Sequence, residues 1–479
     1  MGRDGIRTFM KRTVARARDG YPKAAGLKNP LAIGPALANM WAMASDLFAN
    51  ASLFTPPEPE SLAKLDIADT VIAGLIMRLI YMNSRMVAHE IADEICLPFY
   101  NVVEPILNDL KESRLIEITH GEMAAVSYVY SITDAGRARA MQYFEQTTYV
   151  GPAPISVNAY VQIIAEQSLR QITVHADRLH EAFRGLVFED KILDQVGPAV
   201  NSGRSIFLYG PPGNGKTSIC ERIVKSFGGS IFIPFAVEVK GSIIRVFDEY
   251  NHKQIAPSAD MRLQGKYDRR YRLIERPVII VGGELNMDSL DLIWNEESRF
   301  YEAPIQMKAN GGALMVDDFG RQRIDPKTLL NRWIVPLEKQ VDFLTLHTGT
   351  KIEVPFDQLI VFSTNLNPRD LVDDAFLRRI RYKIPINDPS HENYRAIWRI
   401  VSEARSVPYA DEIVDYFVEK HMRTFGRPLR GCQPRDIIDN ILDVCRYRQI
   451  EPTVTAEMLD DAADAYFVKF DDKNYSSIK

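Results

Sequence analysis

An eight-residue glycine-rich segment constrains the fold of this 479-residue chain more than any other feature. The segment follows the apolar stretch Ser205–Tyr209 and precedes the helix-forming stretch Ser218–Val224. It matches G-x-x-x-x-G-K-[ST] in the strand–loop–helix context that this motif requires. Its glycines allow backbone N–H groups to wrap phosphates at the positive end of a helix. The predicted phosphate-binding residues are Gly210, Pro211, Pro212, Gly213, Asn214, Gly215, Lys216 and Thr217.

A phosphate loop of this kind predicts a second strand that ends in acidic residues. We expect Lys216 to reach the β- and γ-phosphates of a nucleotide and Thr217 to place its hydroxyl on Mg²⁺. The apolar stretch Ala313–Val316 is followed by Asp317 and Asp318. Asp317 is expected to complete the Mg²⁺ shell, and Asp318 to polarise an attacking water as general base.

The composition is that of an ordinary globular protein, with 46% hydrophobic and 25% charged residues. Its length allows two to four domains at ~100–200 residues each. The 58 basic and 63 acidic side chains give a net charge of −5, which excludes a global positive field for nucleic acid or membranes. Four cysteines lie far apart without a C-x-x-C pair, as expected for reduced thiols of a cytoplasmic protein and not for metal ligands.

Residues 1–60 combine a basic arm with an apolar segment. Residues 1–28 hold eight Lys/Arg and two Asp, and the Ala-rich stretch Leu31–Phe54 follows. Gly34 and Pro35 are among the residues that interrupt this stretch, which leaves no ~20 clean apolar residues to span a bilayer. The pattern favours a flexible arm and a packed helix, while peripheral membrane contact stays open.

Residues 61–148 show the element order of a winged helix. A helix, two further helices separated by a turn, a hairpin and a last helix follow one another. The segment Tyr130–Phe144 also resembles the end of many bacterial winged-helix domains. The predicted helices are Val71–Tyr81, Met86–Ile95, Tyr100–Lys111 and one opened by Asp134 as N-cap.

Charge favours a protein partner for this winged helix. Residues 71–146 carry six Lys/Arg against ten Asp/Glu, a net of −4, whereas DNA docking needs cations on the contact face. By contrast, Arg262–Arg276 holds six Lys/Arg and two acids, with Tyr267 and Tyr271 between them. That run could bind single-stranded nucleic acid, or be a solvated loop or a subunit contact.

From the glycine-proline-proline-glycine loop onward, the chain resembles an AAA+ ATPase over roughly residues 185–450. Further motifs of the superfamily follow in order. Leu359–Asn365 is similar to the strand that ends in the sensor-1 residue, here Asn365. Asp374–Ile380 resembles the arginine-finger segment, with Arg378 or Arg379 reaching a neighbouring subunit. Gly431–Ile438 resembles the sensor-2 motif, with Arg435 contacting the nucleotide in cis. The resemblance implies ATP and Mg²⁺ as ligands and a homo-oligomeric ring of about six subunits, because the finger arginine acts in trans.

The chain departs from the family at Asp318, where Glu is usual. A carboxylate one methylene shorter must still reach the water, so slow hydrolysis is a live alternative. Asn310–Asp317 and a predicted hairpin over 341–356 resemble the branch that contains MoxR-type ATPases. This likeness favours a chaperone that remodels or activates a protein client. The alternatives are a DNA-binding ATPase or transcriptional regulator and a slow nucleotide-gated scaffold.

The expected fold class is a parallel α/β P-loop sheet with a helical lid, preceded by a small α+β winged-helix domain. Five parts are predicted: an arm with an apolar helix (1–60), the winged helix (61–148), a linker and helix (149–184), the ATPase domain (185–388) and the lid (389–479).

Overall fold

The computed structural model describes residues 54–121, 124–256, 267–371 and 377–467. The predicted basic arm, most of the apolar segment after it and the first part of the basic run, 262–266, lie outside these described residues. So do residues 374–376 of the predicted arginine-finger segment.

A small α+β domain comes first in the described chain. Its three strands form an antiparallel sheet in the order β1-β3-β2, and the first helix packs most of its apolar side chains into the core. The elements are α1 (Asp69–Asn83), β1 (Arg85–Val87), α2 (Ala88–Glu94), α3 (Glu104–Glu112), β2 (Ile116–His120), β3 (Val129–Ile132) and α4 (Asp134–Gln146).

Three predicted details of this domain are corrected. Arg85–Val87 pairs with β3 instead of starting the second helix. The third helix begins at Glu104, because Asn101 has a φ of 64° that no α-helix contains. Thr133 caps α4, since its side chain accepts a 3.0 Å hydrogen bond from the Gly136 N–H, and Asp134 is the first helical residue.

A five-stranded parallel sheet forms the centre of the chain. Its order is β10-β13-β16-β5-β17, and every neighbouring pair is parallel. Apolar clusters cover both faces, as expected for a parallel sheet with helices on each side. This confirms the predicted α/β P-loop fold. The strands and their flanking helices are α7 (Asp190–Asn201), β5 (Ile206–Tyr209), α8 (Lys216–Phe227), β10 (Val278–Val281), β13 (Ala313–Val316), α10 (Pro326–Lys339), β16 (Leu359–Thr364), α11 (Pro368–Leu371) and β17 (Tyr382–Pro385).

A second five-stranded sheet, in the order β11-β12-β8-β7-β4, has no counterpart in the sequence-based prediction. The hairpin predicted over 341–356 is present as β14 paired with β15. The remaining elements of this part are β4 (Ile155–Ser156), α5 (Val157–Glu166), α6 (Ala176–Ala182), β6 (Ser230–Pro234), β7 (Ala236–Val239), β8 (Ser242–Arg245), β9 (Tyr271–Glu275), β11 (Ile293–Asn295), β12 (Phe300–Glu302), α9 (Ile305–Lys308), β14 (Val341–Thr345) and β15 (Lys351–Pro355).

A helical lid ends the described chain and has its own apolar core around Trp398 and Phe417. Its helices are α12 (His391–Ala404), α13 (Asp411–Phe417), α14 (Gln433–Arg448) and α15 (Ala456–Tyr466).

The segment Tyr149–Pro154, predicted as a linker, is instead packed into the structure. Tyr149 and Ala153 are buried, and the guanidinium of Arg78 donates a 2.9 Å hydrogen bond to the Tyr149 carbonyl. Among the residues that the structure describes, no helix has both the length and the apolar character needed to cross a membrane.

Candidate functional site

Three neighbouring strands place the predicted site residues at one edge of the central sheet. The phosphate loop follows β5, Asp317 follows β13 and Asn365 follows β16, and these strands lie side by side in the order β13-β16-β5. Because the strands are parallel, their carboxyl ends meet, which is where open α/β sheets bind ligands.

The glycines of the loop are required by close approaches. A Cβ at Gly210 would lie 2.2 Å from the carbonyl oxygen of Ile386, just beyond β17. Gly213 has a φ of 79°, and a Cβ there would lie 2.5 Å from Sγ of Cys432 in the lid. The loop conformation therefore depends on the protein segments packed around it.

Lys216 is the first residue of α8, and its ammonium is held over the loop. Nζ donates to the carbonyl oxygens of Gly210 and Pro211, each at 2.9 Å, and to Oδ1 of Asn365 at 2.6 Å. The side chain is only 8% exposed. Desolvation lowers the pKa of Lys216, while the nearby carboxylates of Asp317 and Asp318 act in the opposite direction.

Asp317 and Thr217 provide the oxygen atoms expected of a Mg²⁺ site. Oγ1 of Thr217 lies 3.5 Å from Oδ2 of Asp317, and the Asp317 N–H donates to the Val281 carbonyl at 2.8 Å. Gln322 fixes the backbone at this point, because its Nε2 donates to the Asp317 carbonyl at 2.6 Å. A hydroxyl and a carboxylate that face each other fit Mg²⁺, which takes few protein ligands when phosphates supply the rest.

Asp318 adopts an unusual backbone conformation beside this pair. Its φ is 49°, in the left-handed region that non-glycine residues rarely enter. Its Oδ1 accepts a 3.0 Å hydrogen bond from Nδ2 of Asn365, and its N–H donates to Oδ1 of Asp317 at 3.0 Å. Backbone strain of this kind is concentrated at functional sites.

The lid supplies the other wall of the site. A cavity of about 550 Å³ is bounded by the phosphate loop, by Asp317, Asp318 and Asn365, and by lid residues that include Cys432 and Arg435. Arg435 is 60% exposed and ion-paired with Asp436 at 3.0 Å. That hydrogen-bonded carboxylate raises the pKa of the Arg435 guanidinium. The arginine predicted to touch a ligand in cis therefore lines the cavity with the loop.

The two arginine-finger candidates are not among the residues that line this cavity. Arg378 is exposed, whereas Nε of Arg379 pairs with Oε1 of Glu338 at 2.9 Å. The structure thus separates two residues that the sequence could not tell apart.

Sequence reasoning missed the polar residues that join the loop to the lid. Asn214 was identified only as a loop member, yet its side chain reaches Asp388 and Gly431. Arg430 pairs with Asp388 as well. The only available signal was the polar character of Asp388, three residues after β17, which is also typical of any turn.

In the described part of the basic run, residues 267–276, basic side chains contact other segments of the same chain. Arg270 is buried and paired with Asp268 at 2.7 Å, and Arg276 donates to the carbonyls of Gly228 and Gly311 at 3.0 and 2.7 Å. Tyr271 is buried. Over residues 267–276 these groups hold chain segments together and do not form a surface of free cations and stacking rings.

One family model and several solved structures are similar to parts of this chain. A family model described as "Domain of unknown function (DUF8689)" matches residues 390–465. No curated protein matches the chain. Among solved structures, the chain is similar to the RuvB Holliday junction branch migration motor of Thermotoga maritima, with 12% sequence identity and a TM-score of 0.34. The match covers 58% of this chain and 70% of that chain. It is also similar to NtrX from Brucella abortus in complex with ADP, with 14% identity, coverages of 68% and 65%, and a TM-score of 0.36. Such low values carry no functional argument, so the function must be inferred from this chain's own residues.

Proposed function

We propose that the chain is an AAA+-type ATPase that binds ATP with Mg²⁺ and hydrolyses it. One observation carries this proposal. Lys216, Asn365 and Asp318 form a continuous hydrogen-bonded chain at the carboxyl edge of the parallel sheet. All three residues line one cavity, which supports their roles as phosphate-binding cation, orienting group and base.

Each of these residues has its own role in phosphoryl transfer. The loop N–H groups and Lys216 hold the phosphates, and Arg435 reaches the cavity from the lid. Thr217 and Asp317 hold Mg²⁺, which supplies charge neutralisation when bound. Asp318 accepts the proton of the attacking water while Asn365 orients both.

Arg378 is the better candidate for a finger that acts on a neighbouring subunit. Its exposure leaves it accessible to a second copy of the chain, whereas Arg379 is paired with Glu338. A homo-oligomeric ring of about six subunits, as the AAA+ resemblance implies, would bring such an arginine to the adjacent site.

The coupled work that we infer is MoxR-like remodelling or activation of a protein client in the cytoplasm. The α+β domain has the element order of a winged helix and a net charge of −4 over residues 71–146. An acidic domain suits a protein partner better than DNA phosphates. Salt-dependent DNA binding by the purified chain would instead favour the alternative function, a DNA-binding ATPase or transcriptional regulator.

Substitution of Lys216 tests the ATP site. In Lys216→Ala we expect no measurable ATP binding by titration calorimetry, because the loop loses its cation. Lys225→Ala is the matched control, since Lys225 lies exposed on the same helix and should bind ATP like the wild type. Equal ATP affinity in Lys216→Ala and the wild type would refute the site.

A further inference from the structure

The side chain of Asn214 binds the lid with both of its polar atoms. Oδ1 accepts a 2.9 Å hydrogen bond from the Gly431 N–H, and Nδ2 donates to Oδ1 of Asp388 at 2.8 Å. The residue is 6% exposed. Although Asn214 lies within the phosphate loop, its amide is therefore directed at neighbouring chain segments.

These contacts cross the hinge between the ATPase domain and the lid. Asp388 lies between β17 and α12, the last strand of the central sheet and the first lid helix. Its Oδ1 also binds the guanidinium of Arg430, just before α14. One loop side chain thus joins the phosphate loop, the hinge and the lid.

A backbone contact reinforces the same closure. The Cys432 N–H donates to the Gly213 carbonyl at 2.8 Å. Because Gly213 has no side chain, Sγ of Cys432 can lie where a Cβ would be only 2.5 Å away. The lid is therefore bound to the loop through direct protein contacts that need no ligand.

We propose that Asn214 is a positioning residue that latches the lid onto the phosphate loop and limits the rate at which nucleotide leaves. This inference rests on the proposed ATP site. The cavity is bounded by the loop on one side and by lid residues on the other, so displacement of the lid removes one wall of the site and widens the exit for a nucleotide. The two Asn214 hydrogen bonds are part of what holds the lid in this position, and their loss should accelerate release by about tenfold.

The first test measures the latch in the nucleotide-free chain. Hydrogen exchange of the peptide spanning residues 428–434 should be faster in Asn214→Ala than in the wild type, because the Gly431 N–H loses its acceptor. Unchanged exchange in this peptide would overturn the latch. The result does not depend on ATP binding, so it separates failure of the latch from failure of the proposed ATP site.

The second test measures nucleotide release from the full chain. A fluorescent ADP analogue is loaded and then displaced by excess ADP in stopped flow. We expect release about tenfold faster in Asn214→Ala and in Asn214→Asp, where the introduced carboxylate faces Asp388. Arg446→Ala is the control, because it breaks an exposed ion pair with Asp443 near the carboxyl end of α14, and release should stay at the wild-type rate.

Exchanging the amide and the carboxylate between positions 214 and 388 separates loss of the latch from general loss of folding. In the double variant Asn214→Asp with Asp388→Asn, the introduced carboxylate can accept from both the Gly431 N–H and the introduced amide, and the oxygen of that amide remains an acceptor for Arg430. Release should return to within about twofold of the wild type. Release from the double variant as fast as from Asn214→Asp alone would overturn the proposal, as would an unchanged rate in Asn214→Ala.

Discussion

The side-chain amide of Asn365 donates a 3.0 Å hydrogen bond to Oδ1 of Asp318. The oxygen of the same amide accepts from the Lys216 ammonium at 2.6 Å, so the orientation of Asn365 is fixed from both sides. The Asp318 carboxylate is aimed by a side chain from the next strand and by its own left-handed backbone. The proposed base is thus preorganised before any ligand binds.

Removal of this amide should slow hydrolysis without weakening nucleotide binding. In Asn365→Ala, Lys216 keeps the loop carbonyls as partners, so ATP affinity should stay within about threefold of the wild type. Turnover should fall by about 100-fold, because the base and the water lose their orienting group. Phosphate-release assays at saturating ATP measure the turnover. A variant that hydrolyses ATP at the wild-type rate would contradict the role given to Asn365.

The length of the acidic side chain at position 318 provides a second test. Asp318→Glu restores the side chain usual in the AAA+ family, and we expect turnover to rise by about tenfold if the reach of the carboxylate limits hydrolysis. Asp318→Asn keeps the size but loses the basic oxygen, so turnover should fall by about 100-fold. If the wild type and Asp318→Glu both show no turnover while binding ATP, the nucleotide-gated scaffold becomes the better reading.

The two neighbouring arginines should differ in their effect. Arg378→Ala should lower turnover by about 1,000-fold at concentrations where the chain self-associates, as expected for a finger acting in trans. Arg379→Ala loses an ion pair with Glu338 that is partly exposed, so it should cost at most about 1 kcal/mol of stability and leave turnover near the wild-type rate. ATPase assays on both variants, alone and mixed with Lys216→Ala subunits, measure this difference. Full activity in Arg378→Ala would remove the proposed finger.

Local patterns predicted which residues lie together at the carboxyl edge of the sheet. Asp317 and Asn365 each directly follow a buried strand, which marks the carboxyl end of a parallel strand, and the glycine-rich motif adds Lys216; the structure brings the three side chains to one cavity. The hairpin β14–β15 was predictable for a similar reason, since its two alternating strands flank a short turn.

Features that depend on distant pairing could not be read from the sequence. Strand β4 has only two residues, too few to show the alternation of apolar and polar side chains by which a strand is predicted. Its partner β7 lies some eighty positions later in the chain. The sequence predicts Tyr149 to lie in a proline-bounded linker, but the distant residues Arg78, Phe235 and Phe300 pack against it. The latch at Asn214 is of the same kind, because its partners are contributed by the hinge and the lid.

A buried histidine predicts that stability falls in mild acid. His252 is 2% exposed. Its Nδ1 accepts from the Asp248 N–H at 3.0 Å, and Nε2 lies 2.8 Å from the Lys308 carbonyl, to which it donates in the neutral ring. Desolvation lowers the pKa of His252, and the Lys308 ammonium adds to this, while the bond to the Lys308 carbonyl and the Asp248 carboxylate oppose it. A proton on Nδ1 would also remove the bond from Asp248.

Because the folded-state pKa of His252 is lowered, the protein should become less stable as the pH falls. As pH falls through the ordinary value of about 6.5, the unfolded chain takes up a proton that the folded chain resists, so unfolding becomes easier. One such group contributes at most about 1.4 kcal/mol per pH unit to the slope. The Asp248 carboxyl, whose pKa is about 2, does not titrate in this window. Melting temperatures from pH 7.5 to 5.5 should therefore fall less steeply in His252→Gln than in the wild type. His89→Gln, which alters an exposed ring, is the control, and its melting temperature should change with pH as in the wild type. If the melting temperatures of all three proteins fall in parallel, His252 does not cause the loss of stability in mild acid.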